Sequence, residues 1–222
     1  WNLWMRDLET GKEKQLTTDG IENYGYATDN AGWRQSERPV VLWSPDSKKI
    51  ATFQQDQRHV SDMHLVTTNV GAPTLKSWKY PLPEDEKIIQ IERVIIDVEQ
   101  GEMVRLDMPL DDRRGTLCDD ISCTGTFDDN QWINDGQQLV FVSSTRDHKI
   151  AQLRIADANT GKVKDILKEE VATQYESGQG AINWHYLEES DEVIWYSERD
   201  DWGHLYLYDA QSGQLKHQIT QG

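Results

Sequence analysis

With 39 acidic against 23 basic side chains, the 222-residue chain carries a formal charge of −16 at pH 7 and repels phosphate, which argues against a nucleic-acid partner. Its mean hydropathy is −0.76, yet nine Trp and eight Tyr supply core-forming surface that disordered chains lack. No apolar run reaches membrane-spanning length and no basic-then-apolar leader opens the sequence, so no membrane span is expected.

The chain begins without Met, directly on the strand-like "NLWMRDLETGKEKQLT" (2–17), so it is expected to be an excised fragment. This segment reads as a short strand ending in Asp7, a turn carrying Gly11, and a closing strand. "WSPDSKKIATFQQD" (43–56) follows as Trp43, an acidic polar turn at Asp46 and an apolar strand rich in β-branched and aromatic residues. The next stretch, 65–92, is longer than a hairpin loop needs. Pro81 and Pro83 make it extended, able to lie over its blade or to cross a partner surface. "RVIIDVEQGEMVRL" (93–106) then repeats the opening hairpin with Asp97 and Gly101.

Cys118 and Cys123, in "CDDISC", are near enough in sequence to close a small disulfide loop or to stand as two free thiols. Without a second pair or a nearby His they do not make a zinc site, and no metal or cofactor is expected. "WINDGQQLVFVSST" (132–145) repeats the Trp-led element, with Asp135 in its turn, and "LRIADANTGKVKDIL" (153–167) repeats the hairpin with Asp157 and Gly161. "DILKEEVATQ" (165–174) is the single helix candidate, and its Glu169 and Glu170 read as solvated surface. "WHYLEESDEVIWYSERD" (184–200), with Asp191 in its turn, and "LYLYDAQSGQLKHQIT" (205–220), with Asp209 and Gly213, close the series.

Each unit is thus a Trp-led strand, a turn, an apolar strand, a loop, a strand ending in Asp, a Gly turn and a closing strand. Asp157 and Asp209 lie 52 residues apart, a period that fits one four-stranded propeller blade. The predicted fold is all-β: a partial β-propeller over residues 1–222, with about three complete four-stranded blades plus a half blade at the start. Gly161 and Gly213 are expected at positive φ, and the repeated Asp residues as turn formers. An open ring leaves the terminal blade faces uncovered, which predicts self-association of the isolated chain as a two-fold dimer.

The densest polar motif is "SERDDWGHLYLYD" (197–209). A catalytic reading would pair His204 with Asp200 or Asp201. The repeat favours the other reading, in which 193–197 and 205–208 are neighbouring strands and the charges occupy their connecting loop.

"VLWSPDSKKIATFQQDQRHV", "WKYPLPEDE", "RVIIDV" and "YSERDDWGHLYLYD", in this order and spacing, resemble the N-terminal propeller of dipeptidyl peptidase IV-like enzymes of the prolyl oligopeptidase family. The resemblance runs from about residue 20 to the end. It implies a secreted or periplasmic serine peptidase whose α/β-hydrolase domain follows the propeller and carries the Ser-Asp-His triad. The propeller would gate access and help select peptide substrates. No G-x-S-x-G is present, so neither His204 nor His185 has a nucleophilic Ser to serve, and no catalytic residue is assigned. Dipeptide-releasing members hold the substrate amine with a Glu pair before the "WSPD" strand. Here Glu22 and Glu37 stand alone before Trp43, so strict dipeptidyl specificity does not carry over and no substrate-binding residue is assigned. The alternative is a stand-alone, TolB-like or WD-repeat-like protein-binding propeller.

Overall fold

A computed structural model gives the structure of residues 1–28, 38–68, 70–113, 127, 129–175 and 183–222. The first hairpin is β1 (Trp4–Arg6) and β2 (Glu13–Gln15), a separate two-stranded sheet. The second unit runs through β3 (Tyr24–Tyr26), β4 (Leu42–Trp43), β5 (Lys49–Asp56), β6 (Asp62–Thr67), β7 (Thr74–Lys79), β8 (Gln90–Asp97), β9 (Met103–Arg105) and β10 (Asp111–Asp112). The third is β11 (Asn130–Ile133), β12 (Gln138–Ser144), β13 (Ile150–Asp157) and β14 (Val163–Glu170). The fourth is β15 (Trp184–Leu187), β16 (Glu192–Ser197), β17 (His204–Asp209) and β18 (Leu215–Gln218). The last two units are antiparallel sheets with strands in chain order, as the repeat predicts.

One turn recurs in all four units. The carbonyls of Asp7, Asp97, Asp157 and Asp209 accept the N–H groups of Gly11, Gly101, Gly161 and Gly213 at 2.8–2.9 Å. Each carboxylate also accepts a backbone N–H three residues on, from Thr10, Gln100, Thr160 and Ser212. All four glycines lie at φ between +69° and +77°, as expected for Gly161 and Gly213.

Three expectations need correction. The helix candidate at 165–174 is mostly strand: β14 pairs with β13 through a register shift at Leu153/Arg154 that leaves Ile166 as an extra residue. The bulge turns both Ile166 and Leu167 inward, and this doublet is what breaks the alternation expected of a strand. The second unit is not a simple four-stranded blade. Its first strand is split, with β3 on the Gln54–Asp56 end of β5 and β4 on the Ile50–Ala51 end. Its outer strand is split too, with β9 and β10 on opposite ends of β8. The 65–92 stretch is also not a plain extended segment: its β7 pairs with the preceding β6, and among the described residues the two pair with no other strand, as a two-stranded arm inserted between β5 and β8.

Among the described residues the buried apolar side chains form three cores, each shared between successive units. Leu3 and Leu16 pack with Ile50, Val94 and Ile96; Phe53, Ile91 and Ile95 pack with Leu139 and Phe141; Val140, Leu153 and Leu167 pack with Val193, Trp195 and Tyr206. Three of the Gly turns add a second interlock, because those at Gly101, Gly161 and Gly213 each dock on the outer strand of the unit before. Gly161 sits against the Arg105 carbonyl of β9, and Gly213 against the Ile166 carbonyl of β14. The turn at Gly101 meets β2, where Lys14 Nζ donates to the carbonyls of Val98 and Glu99.

Candidate functional site

The second and third units, and the third and fourth, are also joined by ionic clusters, and a further cluster lies within the second unit. Within the second unit, Arg105 joins Asp19, in the link from β2 to β3, at 3.0 Å, Tyr26 Oη at 2.8 Å and the Glu92 carboxylate. Between the second and third, the buried Arg93 donates from Nε to Asp111 at 2.6 Å, from Nη1 to Asn130 at 3.1 Å and from Nη2 to the Val142 carbonyl at 3.0 Å. Its guanidinium also lies over the Phe141 ring at 4.4 Å. Asp111 accepts a further bond from Ser143 Oγ at 3.0 Å. Between the third and fourth, the buried Glu169 accepts from Trp195 Nε1 at 2.7 Å, Arg199 Nη2 at 2.9 Å and Ser197 Oγ.

Glu169 therefore departs from the solvated-surface reading. Adjacent strand residues point to opposite faces, so Glu170 stays outside, beside Lys168 at 2.8 Å, while Glu169 enters the interface. Its donors come from β16 and the loop after it, 26 to 30 residues away.

The "SERDDWGHLYLYD" motif resolves as the end of β16, a loop and β17. Asp200 accepts from the Tyr206 hydroxyl, and His204 Nδ1 lies 3.3 Å from Thr220 Oγ1, so these partners stand where an acid–base pair would need His204 and Asp200 to meet. Burial, helped by the bond to Asp200, pushes the Tyr206 phenol up to about 12. His185 is exposed on β15. Cys118, Cys123 and Glu37 lie outside the described residues. Among the described residues no group of three or more His, Cys, Asp or Glu is arranged to hold a metal.

The candidate site is a polar cavity of about 320 Å3 at the base of the arm. One wall is the arm itself, through Asp62, Ser77, Trp78 and Lys79; the other is formed by Glu22, Asn23 and Gln57 of the body. A second cavity of about 430 Å3, reaching Arg38 and Pro39, meets it at Trp1, Gly25 and Thr28. Both volumes fall in the range of small-ligand sites. The sequence placed Glu22 in front of Trp43 but gave no sign of this cavity, because the arm that walls it was not legible as strands.

Sheets in chain order, cores shared between neighbouring sheets and turns docked from one sheet to the next define a segment of a β-propeller. The particular family follows from comparison with known proteins: the chain matches the dipeptidyl peptidase IV (DPP IV) N-terminal region over residues 1–222 and belongs to that family. Its fold is that of dipeptidyl peptidase 4 from Porphyromonas gingivalis, at 19% identity and a TM-score of 0.74 over 100% of this chain and 30% of that one. A protein assigned as a dipeptidyl aminopeptidase IV from Bacteroides ovatus is similar, at 18% identity and a TM-score of 0.70 over 99% of this chain and 33% of that one. The chain thus spans about a third of the solved chains it matches.

Proposed function

We propose that this chain is the non-catalytic propeller domain of a DPP IV-like serine peptidase, gating access to a hydrolase domain and helping to select peptide substrates. The observation that carries the reading is the family match across all 222 residues. In this reading the hydrolase domain follows in the same polypeptide and supplies the Ser-Asp-His triad, and the protein works in the periplasm or outside the cell. Among the described residues no helix is long and apolar enough to cross a membrane. The sequence lacks a Glu-Glu pair before Trp43, so the proposed substrate class is short peptides, without a commitment to dipeptide release.

The test uses the full-length protein that contains this chain. Peptides of increasing length and a folded protein bearing the same cleavable sequence are offered as competing substrates, and a fluorophosphonate probe reports the nucleophile. The expected result is a rate that falls steeply from short peptide to folded protein, with labelling outside residues 1–222. Equal rates on both substrates would remove the gating role; turnover by the 222-residue chain alone would remove the non-catalytic assignment.

A further inference from the structure

We infer that Arg146 is a latch that fixes the bearing of the β6–β7 arm, and with it the position of one wall of the cavity at the arm's base. Among the described residues the arm's strands pair only with each other, and a two-stranded ribbon is marginally stable in water by itself. Its orientation must therefore come from its attachment.

At the base, Tyr80 N–H donates to the Ser61 carbonyl at 2.9 Å and Lys79 faces Asp62 at 3.3 Å, which closes the ribbon on itself. The chain then makes a tight turn: Asp85 N–H donates to the Leu82 carbonyl at 3.0 Å, and Leu82 N–H donates to the Asp85 carboxylate at 2.9 Å. Arg146 reaches this turn from the β12–β13 connection of the following sheet. Its two terminal nitrogens donate to the carbonyls of Leu82 and Asp85. Its own N–H is held by Asp112 at 3.2 Å, and Asp112 also accepts from Nε2 of Gln90, the first residue of β8, at 3.3 Å.

The planar guanidinium fork holds two carbonyls in one fixed relation, which a lysine ammonium cannot do. These bonds tie the returning limb of the arm to a different blade. Asp62, Ser77, Trp78 and Lys79 move with the arm, whereas Glu22 and Gln57 belong to the body, so the latch sets the spacing across the cavity. Trp78 Nε1 is buried on the arm side with no partner among the described residues, a donor whose surroundings the arm's position decides. The inference holds whatever ligand the cavity receives and does not rest on the peptidase reading.

Hydrogen exchange on the full-length protein tests it. Arg146→Ala should raise exchange across 74–88 by about tenfold or more, with β11–β13 unchanged, and Arg146→Lys should fall between it and the parent. A nitroxide pair at Ala72→Cys and Asn159→Cys, with Cys118 and Cys123 replaced by Ser, should give a narrow distance distribution that broadens in Arg146→Ala. Unchanged exchange at 74–88 in Arg146→Ala would overturn the latch. So would a rise spread equally over the third sheet in both variants, because Arg146 would then be an ordinary blade residue.

Discussion

The indole N–H of Trp195 donates across 2.7 Å to the buried carboxylate of Glu169, joining the second strand of one blade to the outer strand of the blade before it. Ser197 and Arg199 complete the carboxylate's set of donors. Glu169→Ala would leave two buried donors and a cation without their acceptor. A loss of about 2–4 kcal/mol is expected, toward the lower end for a broken buried pair because Arg199 keeps a third of its side-chain surface in water. Glu169→Gln keeps one carbonyl oxygen and should cost about half as much. Urea unfolding of the three proteins checks the order; equal stability of Glu169→Ala and the parent would mean that the fourth blade docks through its apolar core alone.

The docked turns predict a difference between chemically identical substitutions. Gly11 and Gly213 share φ +69°, so the backbone strain from an added Cβ is the same at both, about 1–2 kcal/mol. Their surroundings differ. A Cβ at Gly213 would lie 2.1 Å from the Ile166 carbonyl oxygen, whereas one at Gly11 meets only an Arg6 side-chain atom at 3.9 Å. Gly213→Ala should therefore destabilise by at least about 1 kcal/mol more than Gly11→Ala, and the excess measures interblade docking. Equal losses in thermal melts would show that the blades separate without strain at this contact.

The turn carboxylates give a pH dependence with a defined sign. The Ser212 hydroxyl and then its N–H hold Asp209 below the ordinary carboxylate range, and the Thr160 N–H does the same for Asp157. A depressed native pKa contributes stability that is complete above the unfolded value and is lost as pH falls through the native one. The melting temperature should thus hold from pH 7 to 5 and fall below about pH 4. Asp209→Asn keeps an acceptor but has no proton to take up, so its deficit relative to the parent should shrink between pH 5 and 2.5. A deficit constant over that range would remove Asp209 from the acid response.

Local chemistry made most of this fold legible in the sequence. The Asp-to-Gly turns are specified within five residues, and the Trp-led strands carry their own β-forming side chains. What stayed hidden depended on distant partners. The Glu169 donors are 26 to 30 residues away, and the two Arg146 acceptors 61 and 64. The arm escaped for another reason: the cross-strand pair Val66 and Leu75 is exposed, and with no buried face there is no alternation to read. Ile166 was hidden by its bulge, which breaks the period on which strand assignment depends.

Among the described residues, the first and last sheets carry exposed apolar side chains on their outer faces. Trp4 is 54% exposed on β1 and Leu215 47% exposed on β18, with Leu8 and Ile219 also uncovered. Apolar surface of this kind usually recruits a partner. The isolated 222-residue chain is expected to pair as a two-fold dimer through these faces, against the repulsion between two copies of charge −16. Salt screens that repulsion and leaves the apolar contact, so the dimer fraction should rise from 0.05 to about 0.5 M NaCl. Light scattering between about 1 and 50 μM spans the range in which a weak dimer appears. Trp4→Glu and Leu215→Lys locate the face, since only the substitution on the paired sheet should return the chain to monomer. A monomer mass at every concentration and salt would remove the dimer; a mass that grows without limit would show head-to-tail stacking of first sheet on last in place of a closed two-fold pair.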